Sequence, residues 1–208
     1  MSSTSTTRTR STLREYVEAA LWALVLTLFL RAFVIQAFRI PSESMVKTLL
    51  VGDFLFVNKF EYGPKIPFTH VRLPGLRPPR RGDVIVFQFP QNPSQDFIKR
   101  CIATAGQTVT IADKQVSVDG QPLREPYTQH TDPNIRPAGF DFRDNYGPYT
   151  VPAGNLFMMG DNRDNSNDSR YWGPVDLDLV KGRAMFLYWS WDGEKKWPRW
   201  NRLLQPIH

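Results

Sequence analysis

"VEAALWALVLTLFLRAFVIQAF", Val17 to Phe38, decides the architecture, because the chain on either side of it is of a different kind. Its continuous apolar part, Ala19 to Leu30, is too short to cross a bilayer alone, but through Phe38 the segment has 22 residues. At ~1.5 Å per residue that length covers the ~30 Å hydrocarbon layer. Arg31 interrupts the pattern near the C-terminal end, where a long side chain can carry its charge to the interface. The reading is a membrane-spanning helix over 17–38. A cleaved signal peptide, with Ile35-x-Ala37 as the cleavage site, and a buried amphipathic helix remain as alternatives. Residues 1–16 are rich in Ser, Thr and Arg and are expected to be disordered. Arg8, Arg10 and Arg14 would hold the N-terminus in the cytoplasm, so that a single pass puts all that follows Phe38 outside.

From Arg39 the pattern is that of a mostly β protein. Seventeen prolines and thirteen glycines punctuate short β-branched and aromatic runs. Asp53–Phe60, Asp83–Phe89 and Phe97–Ala105 read as buried or half-buried strands, separated by a proline-rich loop that contains His70. Thr108–Leu123 reads as a hairpin with a further turn at Asp119-Gly120. Residues 125–150 are polar and read as an exposed insert. Strands resume at "NLFMMGD" and "GRAMFLYWSWD". The tail mixes basic residues with Trp191, Trp197 and Trp200, and fits either packing on the domain or docking at an anionic membrane interface.

Composition narrows the chemistry. The single cysteine, Cys101, excludes an intrachain disulfide, and the three histidines, His70, His130 and His208, are isolated. No HExxH or CxxC spacing occurs, so neither a metal site nor a cofactor is expected. The net charge of +6 carries no nucleic-acid reader motif with it, and no nucleic-acid partner is expected.

"RIPSESMVKTLL", Arg39 to Leu50, places Ser42 and Ser44 just beyond the apolar segment. A serine becomes a nucleophile only when a base takes its proton, and none of the histidines has a supportive setting. A lysine serves if burial lowers its pKa from ~10.4 to about 7–8. In "DFIKRCIATA" strand alternation puts Phe97, Lys99, Cys101 and Ala103 on one face and Ile98, Arg100 and Ile102 on the other. Lys99 is the best available acceptor, although an outward-facing strand lysine fits the same spacing. The dense polar stretch "MMGDNRDNSNDSRYWG", Met158 to Gly173, follows an apolar strand directly. Polar groups so placed satisfy one another: a hydroxyl such as Ser166 could hold the lysine amine, and Asp168 could pair with Arg170.

Taken together, "PSESM" after an apolar segment, "RGDVIVF" followed by "FIKR", and "GDNRDNSNDSRYWG" resemble the bacterial type I signal peptidases, in family order from Arg39 to Trp189. The resemblance implies a membrane-bound serine endopeptidase that removes signal peptides from exported preproteins after small residues at −3 and −1. It implies an antiparallel catalytic β-domain of residues 39–104 and 152–208, with a β-rich insert of 105–151, outside the bacterial inner membrane. By the resemblance, Ser44 is the nucleophile and Lys99 the general base. Ser42 joins the Ser44 N–H in the oxyanion hole, Ser166 orients the lysine, and Asp168 and Arg170 support it. Ile40, Pro41, Met45, Leu49, Phe97 and Ile98 line the substrate groove. The implied partners are preprotein signal peptides and the lipid bilayer. Two departures stand out. Lys47 replaces a usual proline, which is expected to loosen the loop and bring a charge near the groove. "CIATAGQTV" keeps Gly106 but lacks the proline and aspartate that usually shape the next turn. A Ser-Lys maturase of one partner protein and a non-catalytic, membrane-tethered peptide-binding domain are the competing functions.

Overall fold

The computed structural model describes residues 12–66, 69 and 71–208. Residues 1–11 of the expected disordered start, and His70, lie outside the described residues. An α-helix, α1 (Thr12–Phe29), continues as a wider π-type turn over Leu30–Val34. None of its residues is buried. The helix therefore begins inside the segment expected to be disordered and ends four residues before Phe38. Its 23 residues still span about 34 Å at ~1.5 Å each. Ile35 turns extended and opens strand β1 (Ile35–Arg39), which pairs antiparallel with β2 (Asp53–Asn58). Strand pairing explains the early stop: a sheet partner satisfies the backbone of Ile35–Arg39 without a helix. Lys59 joins the two parts, donating its N–H to the Val34 carbonyl at 2.9 Å and its amine to the Arg31 carbonyl at 3.2 Å.

The main sheet adds β3 (Val84–Phe89) and β4 (Asn92–Thr104). A smaller sheet follows, of β5 (Thr108–Ala112), β6 (Gln115–Val118), β7 (Gln121–Pro122) and β8 (Tyr146–Thr150). The chain then returns through β9 (Asn155–Met159), β10 (Val175–Asp176), β11 (Val180–Asp192) and β12 (Trp197–Pro198), with a short helix α2 (Ser169–Trp172) after β9. The main order is β1-β2-β11-β3-β4-β9-β10, with β12 added to β11; the smaller sheet runs β7-β6-β5-β8. All these pairings are antiparallel.

β3 lies within the main sheet and is covered on both faces, which accounts for its unbroken apolar run. Val84 and Val86 join Leu55, Val57 and Leu187 in one core, while Ile85 and Phe87 join Cys101 and Met158 in another. A third core fills the space between the sheets around Ile102, Val109, Val118 and Phe157. The β5–β6 and β6–β7 turns carry positive φ at Asp113, Lys114, Asp119 and Gly120, the left-handed pairs that tight hairpins require. The polar insert is less exposed than its composition suggests. Tyr146 and Tyr149 of β8 pack on Phe157, with ring centroids 5.4 and 5.8 Å away, and Arg143 and Asp144 are buried together.

Candidate active site

The loop between β1 and β2 carries both candidate serines, and its own apolar residues hold it. Met45 and Leu49 are fully buried and Ile40 nearly so, all in the core beneath the loop. These three side chains, expected in the groove, pack beneath the loop and are not among the residues that line the cavity beside Ser44 and Lys99. Backbone bonds close its base, Ile40 N–H to the Asp53 carbonyl at 2.8 Å and Gly52 N–H to the Ile40 carbonyl at 3.0 Å. Lys47 does not enter the groove either. Its amine donates to the Thr128 carbonyl at 3.3 Å, in the segment between β7 and β8.

Lys99 sits on β4 at 3% exposure, with its Nζ 2.5 Å from Ser44 Oγ. The outward-facing alternative is thereby excluded. Burial is the main influence on the amine and lowers its pKa from 10.5 to about 8. Asp168 acts in the opposite direction, Arg170 with the burial, and Asp161 again against it. The Phe97 ring lies 5.7 Å from Nζ. The expected alternation holds from Phe97 to Cys101 and then breaks. A bulge between Cys101 and Ala103 shifts the β4–β9 register, so that Ile102 and Ala103 both enter the core between the sheets.

Ser42 Oγ lies 3.4 Å from Ser44 Oγ. Asp168 is fully buried and makes a two-point pair with Arg170, each bond 2.8 Å. Burial alone would raise the Asp168 pKa; the Arg170 guanidinium, Lys99 and the Gly160 N–H outweigh it and hold the carboxyl below the usual value. Arg170 also donates to the Arg143 and Arg163 carbonyls at 2.7 Å each. Ser166 Oγ is buried beside Gly160 and has no hydrogen-bond partner among the described residues, so the expected bond to the lysine amine is not formed. Gly160 is needed for space: a Cβ there would lie 2.3 Å from Ser166 Oγ and 2.4 Å from the Ser44 carbonyl oxygen.

A second buried ion pair escaped the sequence reading. Arg100 bonds Asp161 through Nε at 2.8 Å and through its terminal nitrogen at 2.7 Å. Thr48 donates its hydroxyl to the same carboxylate at 2.5 Å. The residue beside Lys99 is thus tied to the loop that bears Ser44. The only sign in the sequence was an arginine on a strand face of isoleucines. The turn after β4 forms without the usual proline and aspartate, because the Gln107 side-chain carbonyl accepts the Thr104 N–H at 3.0 Å.

A cavity of about 490 Å³ opens beside Ser44 and Lys99. Pro41, Ser42, Phe97 and Ile98 line it. Glu43, Asp96, Asn165 and Asn167 also line it and were not anticipated. A hydroxyl in contact with a buried amine, next to an open cleft, is an arrangement suited to nucleophilic attack on a bound carbonyl.

The profile of the family described as "Signal peptidase, peptidase S26" matches residues 13–189. A Signal peptidase I from Pseudomonas fluorescens is 36% identical over 211 aligned residues, covering 87% of this chain and 74% of its own. One from Leptolyngbya laminosa is 40% identical over 186, covering 86% and 81%. One from Aquifex aeolicus is 32% identical over 230, covering 86% and 85%. Serine peptidase chemistry follows from a match of this extent, and the chain belongs to the signal peptidase S26 family.

Proposed function

We propose that this protein removes signal peptides from exported preproteins, cutting after small residues at −3 and −1, with Ser44 as nucleophile and Lys99 as general base. The observation that carries the reading is the 2.5 Å contact between Ser44 Oγ and an amine that burial brings to a pKa of about 8. The neutral amine accepts the Ser44 proton as Oγ attacks the scissile carbonyl carbon. The oxyanion that forms is held by the Ser44 N–H and the Ser42 hydroxyl. The resulting ammonium gives its proton to the leaving amine, leaving an acyl-enzyme. Lys99 then deprotonates a water that releases the signal peptide and frees Ser44. Asp168 and Arg170 keep fixed charges near the amine, and Ser166, whose hydroxyl is buried without a partner, bonds it once substrate fills the cleft. An extended peptide fits along the cleft by strand addition, with small side chains against Pro41, Phe97 and Ile98.

The exposed apolar helix supports anchoring in the bacterial cytoplasmic membrane, N-terminus inside, with the β-domain outside. Ser44→Ala and Lys99→Ala should each abolish cleavage of a preprotein with an A-x-A site in detergent. The activity of the parent should rise with pH through about 8, because only the neutral amine works as a base. Near-normal turnover by either variant, or activity still climbing past about pH 10, contradicts the dyad. Cleavage of one preprotein among several unrelated ones would instead indicate a dedicated maturase.

A further inference from the structure

We propose that Asn162 is a positioning residue of this site: its side-chain amide fixes the Glu43–Ser44 peptide plane and so aims the Ser44 N–H at the oxyanion. The inference rests on the Ser44–Lys99 reading above. Asn162 follows β9 and is 3% exposed. Its Nδ2 donates to the Glu43 carbonyl at 3.1 Å, and its backbone N–H donates to the Ser44 carbonyl at 3.1 Å. One residue thus grips the carbonyls on both sides of the nucleophile's Cα.

The Glu43 carbonyl and the Ser44 N–H are two ends of one planar group. That bond is trans, since the cis bonds among the described residues are Val46–Lys47 and Gly147–Pro148. The two ends therefore point in opposite directions. Asn162 is buried and Ser42 and Ser44 line the cavity, so a carbonyl held toward Asn162 turns the N–H away from it. An amide whose carbonyl accepts a bond is also a stronger donor at its nitrogen.

Two observations separate orientation from plain stability. The Val46 N–H also donates to the Glu43 carbonyl, at 3.1 Å, so that carbonyl is satisfied without Asn162. Asn162 Oδ1 is buried with no hydrogen-bond partner among the described residues. A buried amide that leaves its acceptor unpaired loses stability there, and what it retains is a donor on the peptide next to the nucleophile.

The test is Asn162→Leu, close in shape and without the donor; the backbone bond to Ser44 survives it. Removing an oxyanion donor outright costs ~10²–10³ in kcat, so tilting one should cost about tenfold or more. The expected result is that loss in kcat, with KM, the pH midpoint and the melting temperature close to those of the parent. Asn162→Ala carries the same prediction if the leucine variant melts early. Parental kcat overturns the inference. So does a loss that comes with a shifted pH midpoint or a matching rise in KM, since the residue would then act through Lys99 or the groove. Ser44→Ala and Lys99→Ala, assayed in parallel, separate the two readings. Near-normal turnover in those variants defeats the dyad, whereas parental kcat in the Asn162 variants, with Ser44→Ala and Lys99→Ala inactive, defeats the positioning role alone.

Discussion

Burial of Lys99 costs stability, and under the proposed dyad the same burial makes it a base. Its folded-state pKa of about 8 lies below the ordinary 10.5, so between those values the unfolded chain binds the extra proton. Folding stability therefore rises with pH across that window, and below it the burial penalty is felt in full. At ~1.36 kcal/mol per unit the penalty at pH 7 is on the order of 3 kcal/mol. Lys99→Met should melt higher than the parent at pH 7, and its advantage should fade as pH nears 10.5. Equal melting temperatures at pH 7 would mean that the folded protein solvates the ammonium. Ile40, Met45 and Leu49 teach a related point. Apolar residues near a candidate nucleophile read equally well as a substrate surface or as the anchor of its loop, and their burial shows that they anchor it.

Among elements, the Arg100–Asp161 pair does most to keep the site together. It links β4, the Ser44 loop through Thr48, and the turn after β9, with both charges removed from water. A buried pair is weak evidence of net stability, but removing one partner strands the other. Asp161→Asn should cost about 3–5 kcal/mol in chemical denaturation, by leaving Arg100 uncompensated. A loss under about 1 kcal/mol would show that water reaches the guanidinium. The Asp168–Arg170 pair was legible because its partners are two residues apart in one polar stretch. Arg100 and Asp161 are joined only when β4 and β9 lie side by side.

At the scale of the whole molecule, the helix and the β-domain have little to do with one another energetically. α1 buries no residue, and its tie to the domain runs through the backbone at Val34 and Arg31. Removing residues 1–30 should leave the melting temperature of the domain unchanged and hydrolysis of a short soluble peptide within a few-fold of the parent. Processing of a preprotein in lipid vesicles should fall much further, because anchoring raises the effective concentration of enzyme and substrate in one plane. Equal losses on both substrates would give the helix a structural role in the site. The tail also belongs to the domain: Ile207 enters the core, β12 extends β11, and Trp189 meets Trp200 edge-on at 5.8 Å.

The sequence by itself determined the apolar helix, most strands, the hairpin turn at Asp119-Gly120 and the residues that form the Ser44–Lys99 contact. Those features are written in local periodicity, in turn chemistry or, for Ser44 and Lys99, in two short motifs that carry the family resemblance. Tertiary structure decided where the helix ends, because Ile35–Arg39 had a sheet partner that no local pattern could announce. It decided that Lys99 faces inward, that the register breaks after Cys101, and that Asn162 and Asp161 reach the Ser44 loop. Burial, strand register and long-range hydrogen bonds depend on which segments meet, and a linear chain does not fix those meetings until it has packed.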